Sequence, residues 1–455
     1  MHSNLGHADS ERTRPSASLQ SAKQNISHAT GGPRSVVAGW SRREFLVAAG
    51  AATLGALAGR AATEAAPVEF TANVPVRAIT RGPKFHWFGY YDKFEFDPSG
   101  RRVLAMEVDF EGRSPRADDV IRVGMVDLQD GDKWIELGTS RAWNWQQGCM
   151  LQWVPGTKST VVWNDREGDR FVCHLLDVDT GKQRTLPAPV YALSPDGKWA
   201  VAPDFRRLND CRPGYGYAGL PDPNANVLAP ENAGIWKMDL ETGKQSLLLS
   251  FADLAKVPQP GGFSKNAKHW FNHLLVSPDG TRFEFLHRWR GEAEGKSWKT
   301  RQFTVGADGK DLYLLNASGL VSHFIWCDPT HILAYAGLGN TKEWRCQLFE
   351  DHTGKAELVE GMLPVDGHCT YLPGNEWILC DTYAGKVNRN QNPYLLHVAT
   401  KKYVPLGQFR SPPEYTGEWR CDTHPRCSRD GKWVTIDSPH HGGRQVYLLD
   451  LRGVV

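Results

Sequence analysis

Four histidines occupy equivalent positions in a pattern that repeats along the second half of the chain. His273, His323, His368 and His424 each precede a sharp turn of the repeat by about five residues. Neutral imidazole is the commonest ligand of ions such as Zn²⁺ and Mn²⁺, and it is also the commonest general base near pH 7. Equivalent positions of a circular repeat converge on its axis, so we expect the four imidazoles to share one pocket. The spacing therefore predicts a site for metal binding or acid–base catalysis.

Two cysteines flank the last of these histidines, in the order Cys421, His424 and Cys427. Thiolates are soft metal ligands that suit an imidazole cluster. Successive side chains of a strand point to opposite faces, however, so these three residues cannot all face one pocket. We therefore do not expect cysteine ligation. The nine cysteines of the chain, an odd number without close spacing, also indicate no disulfide framework.

Aromatic, amide and guanidinium side chains stand in the segments that border the predicted pocket. Carbohydrate sites combine aromatic faces with planar or charged donors for hydroxyl and carboxylate groups. On this basis the candidate sugar-binding residues are Trp145, Gln147, Asn164 and Arg288. A long segment rich in proline and glycine adds Arg207 and Tyr215. The alternative is that these tryptophans and arginines simply pack between sheets, and the sequence leaves both roles open.

A turn signal recurs between short apolar stretches and indicates the elements that carry these residues. Proline presets φ in such turns, and glycine or aspartate tolerates the left-handed position. Seven copies follow one another, at Asp97-Pro98-Ser99-Gly100, Val154-Pro155-Gly156, Ser194-Pro195-Asp196-Gly197, Ser277-Pro278-Asp279-Gly280, Cys327-Asp328-Pro329, Leu372-Pro373-Gly374 and Ser428-Arg429-Asp430-Gly431. Each turn is followed by an apolar strand and then by an alternating pair of strands. Four strands in each of seven units predict an all-β fold, a seven-bladed β-propeller.

The ring needs one more strand to close, because the chain ends soon after residues 446–450. An open outer edge would expose unpaired backbone groups. We expect the closing strand to come from the N-terminal side, around Val74 to Arg81, so that it completes the last blade. Helices should be few, and residues 250–256 are the best candidate for a short one. The propeller is predicted to span residues 67–455.

Residues 1–66 resemble an export signal. Arg42-Arg43 precedes a small and apolar run from Val47 to Gly59, which is too short to span a bilayer as a helix. This order is typical of twin-arginine signals, so the Tat translocase is an expected partner and the protein is expected in the periplasm or outside the cell. We expect no stable membrane anchor. Proteins exported by this route are already folded, often with a metal inside.

The charge of the body is balanced. The chain has 53 Lys and Arg against 51 Asp and Glu, of which the first 66 residues hold seven and four, which leaves 46 and 47. Nucleic-acid binding needs a concentrated basic face, so a nucleic-acid partner is not expected. We expect a monomer.

Several short motifs are similar to those of known propellers. The Ser-Pro-Asp-Gly turns resemble those of TolB-type proteins, whereas Asn272-His273, Ser322-His323-Phe324-Ile325-Trp326 and His424-Pro425-Arg426 resemble the oligogalacturonate lyase family and the related ulvan lyases. The resemblance implies β-elimination at a uronic acid within an acidic oligo- or polysaccharide. It also implies a divalent metal ion of the Mn or Zn type as cofactor.

The resemblance further implies roles for individual residues. His273 matches the histidine assigned as base, and His323 and His424 match metal ligands. A glutamine and a second histidine that the family carries before the last turn are absent here, where Trp419 and Asp422 stand, and His368 is the substitute we predict. Arg207 or Arg288 would neutralise the uronate, and Tyr215 or a water would protonate the leaving oxygen.

Two other functions remain open from the sequence. The first is a TolB-like propeller without catalytic activity that binds a glycan or a protein partner. The second is a glycoside hydrolase, which needs two carboxylates across a channel. Glu95, Glu107 and Asp165 are the candidates for that pair.

Overall fold

Eight antiparallel sheets form a β-propeller in the computed structural model, which describes residues 70–337 and 343–455. The predicted leader, residues 1–66, lies outside this part of the chain, and its role stays a prediction. The first sheet contains strands β3 (Phe85–Trp87), β4 (Arg102–Val108), β5 (Ile121–Asp127) and β6 (Lys133–Ser140). The second contains β7 (Gln152–Trp153), β8 (Thr160–Glu167), β9 (Arg170–Asp177) and β10 (Gln183–Leu186). The third contains β11 (Ala192–Leu193), β12 (Trp199–Pro203), β13 (Gly234–Asp239) and β14 (Gln245–Ser250).

The next four sheets also have four strands each. The fourth contains β15 (Lys268–Val276), β16 (Arg282–Arg290), β17 (Lys299–Gly306) and β18 (Tyr313–Gly319), and the fifth contains β19 (Val321–Trp326), β20 (His331–Gly337), β21 (Trp344–Glu350) and β22 (Ala356–Leu358). The sixth contains β23 (Thr370–Tyr371), β24 (Trp377–Cys380), β26 (Tyr394–His397) and β27 (Tyr403–Pro405). The seventh contains β29 (Arg426–Cys427), β30 (Trp433–Ser438), β31 (Gln445–Asp450) and β2 (Val76–Ala78).

The prediction of seven blades was wrong, because the described residues form an eighth sheet. It has three strands, β1 (Phe70–Ala72), β28 (Gly407–Arg410) and β25 (Asn390–Gln391), and none of them follows a turn of the repeat. Pro393 stands between β25 and β26 and has no N–H to donate, so the ladder is interrupted there. The repeat could not show a sheet that is assembled from such distant segments.

The ring closes as the sequence predicted. Strand β2 pairs antiparallel with β31, with Arg77 opposite Leu448, and thereby completes the sheet that contains the C-terminal strands. Buried apolar side chains from both ends of the chain, including Ile79, Phe96 and Val446, form one cluster at this junction. Burial of such side chains between neighbouring sheets is the main source of stability in the fold.

The turns of the repeat are held by side chains. The Ser194 hydroxyl donates to Asp196 at 2.6 Å and accepts from the backbone N–H of Lys198 and Trp199 at 3.1 Å. Gly197 has a φ of +68°, and a Cβ there would lie 2.3 Å from the carbonyl oxygen of Pro155 in the neighbouring turn. Glycine is therefore required at this position by both conformation and space.

Two short α-helices interrupt the strands of the described part. Helix α2 (Phe251–Lys256) is capped by Ser250 and Asp253 in a capping box, and it confirms the short helix that the sequence predicted. Helix α1 (Phe205–Cys211), capped by Asp204, was not predicted. It begins the long excursion that contains Arg212 and Tyr215. None of the helices in the described part is long and apolar enough to span a bilayer.

Candidate functional site

The four histidines of the repeat lie together on the axis of the ring. The ring centroids of His273 and His323 are 5.9 Å apart, those of His323 and His368 are 4.3 Å apart, and those of His368 and His424 are 4.2 Å apart. All four residues are buried. The geometry thus brings the four imidazoles into one cluster, and their chemical roles stay predictions.

Two of these histidines have an unusual backbone conformation. His273 lies at a bulge in β15 with a φ of +48°, and His424 has a φ of +39°. Residues other than glycine rarely adopt the left-handed region, and such strain is concentrated at functional sites. Asn272, beside His273, is fully buried, and within residues 70–337 and 343–455 neither polar atom of its side chain has a hydrogen-bond partner.

Two tyrosines lie against the imidazole cluster. The ring of Tyr90 stacks on that of His273 at 5.0 Å and meets His424 edge-on at 5.2 Å. Tyr91 meets His323 edge-on at 5.8 Å, and its hydroxyl donates to the carbonyl oxygen of Phe324 at 2.8 Å. Neither residue was predicted from the sequence, although both lie between β3 and the first turn of the repeat.

His323 and His368 are each oriented by a carboxylate. Nδ1 of His323 lies 3.0 Å from Asp366, and Nδ1 of His368 lies 2.9 Å from Asp381. Burial lowers the pKa of His323 despite the charge of Asp366. Burial also acts to lower the pKa of His368, but the charge of Asp381 outweighs it and raises that pKa.

His273 is surrounded differently. Its Nε2 atom lies 3.0 Å from the Tyr90 hydroxyl, and its Nδ1 atom lies 3.3 Å from both Nε2 of Gln147 and the hydroxyl of Tyr191. Both ring nitrogens therefore have partners inside the protein. Burial and the charge of Arg288 hold the pKa of His273 well below the usual histidine value, so this imidazole is neutral.

Three side chains form a group with the geometry of a metal site. One ligand atom from each of His368, Asp422 and His424 lies within 4.8 Å of the others, and all three residues are buried. Nε2 of His368 and Nε2 of His424 are buried and have no hydrogen-bond partner in the described part of the chain. Two imidazoles and a carboxylate suit a borderline divalent ion of the Mn or Zn type, so the residues fit the predicted cofactor.

The composition of this group differs in part from the sequence prediction. His368 and His424 are members as expected, but His323 is not, and Asp422 takes the third place. Asp422 stands two residues before His424, in the segment that leads into β29. That spacing is the signal that the sequence offered for a carboxylate ligand. No cysteine belongs to the group among the described residues.

A cavity of about 410 Å³ opens beside the imidazole cluster. This volume lies within the range of sites for small molecules. Three arginines, two histidines, two tryptophans and a tyrosine contribute to its wall, namely Arg212, Arg288, Arg420, His273, His323, Trp298, Trp344 and Tyr383. The cavity therefore combines aromatic faces with a concentration of positive charge.

Two of these arginines have buried N–H groups without a partner. Nε and Nη1 of Arg288 and Nη1 of Arg212 make no hydrogen bond among the described residues. Burial, together with the charge of Arg212, lowers the pKa of Arg288 to about 9. Two guanidinium groups with unused donors in one buried wall form a site that is complementary to an anion.

Arg420 connects Asp422, one of the three residues with the geometry of a metal site, to Tyr215. Its Nε donates to Asp422 at 2.7 Å, and its Nη2 donates to the Tyr215 hydroxyl oxygen at 2.9 Å. Burial acts to raise the pKa of Tyr215, but the charges of Arg420 and Arg212 outweigh it and lower that pKa to about 8. The ring of Tyr215 also meets His273 edge-on at 5.7 Å. This tyrosine, predicted from sequence, thus lies beside the cluster.

Three other predicted residues are not brought to the cavity. The guanidinium of Arg207 is fully buried and binds Asp222 and the carbonyl oxygens of three residues. The indole of Trp145 packs on Trp87 and Trp143 and donates to the carbonyl oxygen of Arg113. Asn164 uses its amide to hold Val190 and Tyr217. Their contacts are those of packing residues, whereas Gln147 and Arg288 do reach the cluster or its cavity.

The candidate carboxylates of a glycoside hydrolase also lie elsewhere. Glu95 pairs with Arg426 at 3.0 Å, Glu107 lies 3.1 Å from His86, and Asp165 lies 3.4 Å from His174. None of the three lines the cavity. The geometry therefore does not support two carboxylates facing each other across this space.

Comparison with known proteins shows what the fold is similar to. No model of a known protein family matches the sequence, and no curated protein matches it either. Among solved structures, the oligogalacturonate lyase of Vibrio parahaemolyticus is similar with a TM-score of 0.60 and 16% identity, over 84% of this chain and 96% of that one. An oligogalacturonate lyase in complex with manganese matches with a TM-score of 0.61 and 15% identity, over 84% of this chain and 94% of that one.

These likenesses establish the architecture. At such low identity they show a shared β-propeller fold and no more. Propellers of peptidases match as well, with TM-scores below 0.5, and nothing is inferred from them. What the site does must therefore be argued from its own residues.

Proposed function

We propose that this protein cleaves uronic-acid-containing oligo- or polysaccharides by β-elimination in the cavity beside the four imidazoles. One observation carries the proposal: Arg288 and Arg212 present buried, unpartnered N–H groups in the wall that also contains His323. A uronate supplies what this wall lacks, a planar anion that accepts from guanidinium groups. The sugar rings would pack against Trp298 and Trp344, the two tryptophans that line the same cavity.

The reaction needs the substrate carboxylate to be neutralised. The proton at C5 of a uronate is weakly acidic because the adjacent carboxylate resists further negative charge. Guanidinium groups that are already fixed in a buried wall stabilise the charge that develops as this proton leaves, without reorganising. Arg288 replaces Arg207 in this role, because the nitrogens of Arg207 are bound to Asp222 and backbone carbonyl oxygens.

His323 is the base that the geometry favours. With Nδ1–H donated to Asp366, its Nε2 carries the lone pair and has no hydrogen-bond partner in the described part of the chain. The sequence resemblance implied His273 instead, but both nitrogens of that ring are engaged by Tyr90, Gln147 and Tyr191. A base must reach the substrate proton, and only His323 lines the cavity with a free nitrogen and an orienting carboxylate.

Tyr215 is the acid for the leaving group. The C5–H bond breaks and its proton moves to Nε2 of His323, the C4–O bond breaks, and a C4–C5 double bond forms. The leaving oxygen takes a proton from the Tyr215 hydroxyl, which Arg420 stabilises as the anion. A pKa of about 8 places this hydroxyl close to the working pH, where proton donation is efficient.

His368, Asp422 and His424 would hold a divalent ion of the Mn or Zn type. A bound ion of this kind polarises a carboxylate oxygen and adds positive charge to the site. The buried nitrogen atoms of the two imidazoles are already free of protein partners. Arg420 donates to Asp422 at 2.7 Å, so the protein itself orients this carboxylate.

The decisive experiment is a screen of polyuronates for a new ultraviolet absorbance, which reports the conjugated double bond of the product. The purified protein is incubated with each polymer and its oligomers in the presence of Mn²⁺ or Zn²⁺. The matched control is the same polymer with its carboxyl groups reduced to alcohols, which should give no signal. If no uronate yields the absorbance but a glycan or a protein still binds the cavity, the protein is a binding propeller and the proposal is wrong.

We also propose that residues 1–66 direct Tat-dependent export, which places the enzyme in the periplasm or outside the cell. This rests on the paired arginines and the short apolar run of the sequence. Acidic polysaccharides are outside the cytoplasm, so the location agrees with the proposed substrate.

A further inference from the structure

His368 and His424 each lie two residues before the start of a strand, β23 and β29 respectively, and one carboxylate contacts both segments. Asp381 directly follows β24, where it accepts from the backbone N–H of His368 at 2.8 Å and lies 2.9 Å from Nδ1 of the same residue. It also accepts from the hydroxyl of Thr423 and from the backbone N–H of His424 at 3.1 Å. Its side chain is fully buried.

The contact with His368 selects one tautomer of the imidazole. Asp381 is an acceptor only, so Nδ1 of His368 carries the proton and donates it. In the neutral imidazole the lone pair then lies on Nε2, which is buried without a hydrogen-bond partner among the described residues and belongs to the group formed with Asp422 and His424. A carboxylate behind an imidazole is the arrangement that orients metal-binding histidines in proteins.

The contact with His424 holds a strained segment. His424 has a φ of +39°, which an ordinary residue keeps only when its surroundings fix it. The N–H of His424 and the hydroxyl of Thr423 are both bound by Asp381, while Arg426 donates to the carbonyl oxygen of His424 at 2.6 Å. The segment is therefore clamped on both sides of the imidazole.

We propose that Asp381 is the positioning residue of the metal centre, which sets the tautomer of His368 and fixes the backbone of His424 so that both imidazoles face one ion. This inference rests on the metal site of the proposed function, but it does not depend on which reaction the site performs. A protein that binds metal and lacks lyase activity would contradict the proposed function and leave the role of Asp381 intact.

The test is metal affinity in the full-length protein, measured by titration with Mn²⁺ and with Co²⁺, whose absorption spectrum reports ligand geometry. We expect Asp381→Asn to weaken binding roughly 10- to 100-fold and to change the Co²⁺ spectrum. The matched control is Asp351→Asn, which makes the same change at a buried carboxylate that binds Thr304 and Arg282. This control should bind both ions like the wild type.

Two further measurements keep the inference testable if Asp381→Asn does not fold. Thr423→Val removes one donor to Asp381 without changing a ligand, and it should weaken binding in the same direction by a smaller factor. In the metal-free wild type, nitrogen NMR of ¹⁵N-labelled histidine, recorded at a pH where the His368 imidazole is neutral, should show His368 protonated on Nδ1 and not on Nε2. Unchanged affinity in the Asp381 and Thr423 variants, a neutral His368 protonated on Nε2, or a wild type that binds neither ion would overturn the inference.

Discussion

Arg212 and Arg288 bring two positive charges into one buried wall, and each has N–H groups that no other described residue accepts. Buried charges are normally paired, because an unpaired one costs desolvation energy. The arrangement is therefore unfavourable in the protein alone and becomes favourable when an anion binds. Substrate binding and stability should respond to these residues in opposite directions.

Substitution of Arg288 by methionine tests this relationship. We expect Arg288→Met to lower kcat/KM on a uronate by roughly 10- to 100-fold, since a hydrogen bond to a charged group contributes about 1.5–3 kcal/mol. The free energy of unfolding should stay equal or rise, because a buried unpaired charge is removed. Both are measured on the same preparation, by absorbance assay and by denaturant unfolding.

The control for this prediction lies two residues further along the same strand. Arg290 donates to the carbonyl oxygen of Ser297 and does not line the cavity. Arg290→Met should therefore leave kcat/KM close to that of the wild type. Equal losses in the two variants would show that general charge near the site, and not the unpartnered groups of Arg288, is what matters.

A second prediction separates the two candidate bases. His323→Gln should lower kcat by roughly 10²- to 10⁴-fold with little change in KM, the usual effect of removing a general base. Asp366→Asn should act in the same direction, because it removes the carboxylate that orients His323. His273→Gln should have a smaller effect, since His273 binds Tyr90 and Gln147. A larger loss in His273→Gln than in His323→Gln would return the role of base to His273.

The pH profile gives a third prediction. Tyr215 must be protonated to act as an acid, so kcat should fall as pH rises through about 8, where its pKa lies. His323 must be neutral to act as a base, and burial places its pKa below the ordinary 6.5, so the acidic fall should lie below that value. Tyr215→Phe should lose most activity and the alkaline fall. Tyr191→Phe, which removes another buried phenol near His273, should keep that fall.

A fourth prediction concerns the leader. Replacement of Arg42 and Arg43 by lysine should retain the full-length protein in the cytoplasm, because the translocase recognises the pair of arginines. Cell fractionation followed by immunoblotting measures the location. Export of the double variant at the wild-type level would show that residues 1–66 are not a twin-arginine signal.

The repeated turns, and the positions of the histidines relative to them, were sufficient to predict the imidazole cluster and the strand that closes the ring. Both follow from local rules, since turn residues mark the inner strands and an open edge needs a partner. The three-stranded sheet was not predictable in this way. Its strands come from residues 70–72, 390–391 and 407–410, which share no turn signal and meet only in the folded chain.

Residues of the site that act through long-range contacts were also missed. Asp381 and Asp366 belong to no recognisable sequence motif. Their role can be inferred only from the fold, which brings them next to His368 and His323. Arg207 and Arg288 looked equivalent in sequence, since both are arginines near polar segments. Both are buried, and their hydrogen-bond partners distinguish them: Arg207 binds Asp222 and backbone carbonyl oxygens, whereas Nε and Nη1 of Arg288 have no partner among the described residues.

The last prediction concerns the closure of the ring. Arg426 donates to Glu95 at 3.0 Å and to Asp437 at 2.9 Å, and all three residues are buried. Asp437 in turn accepts from the backbone N–H of Phe88 and of Gly89, so the network joins β29 and β30 to the segment after β3. Arg426→Met would leave two buried carboxylates without their cation, and we expect it to lower the free energy of unfolding by about 3–5 kcal/mol.

Denaturant unfolding measures this loss, with Arg101→Met as the control. Arg101 also pairs with a carboxylate, that of Asp127 at 2.8 Å, but the Arg101 side chain is exposed, so the loss of stability should be smaller than in Arg426→Met. Adding Glu95→Gln to Arg426→Met should restore part of the lost stability, because it removes one of the unpaired charges. If the Arg426 variant is as stable as the Arg101 variant, the ring is held by its apolar junction around Ile79, Phe96 and Val446, and the charged network does not contribute to closure.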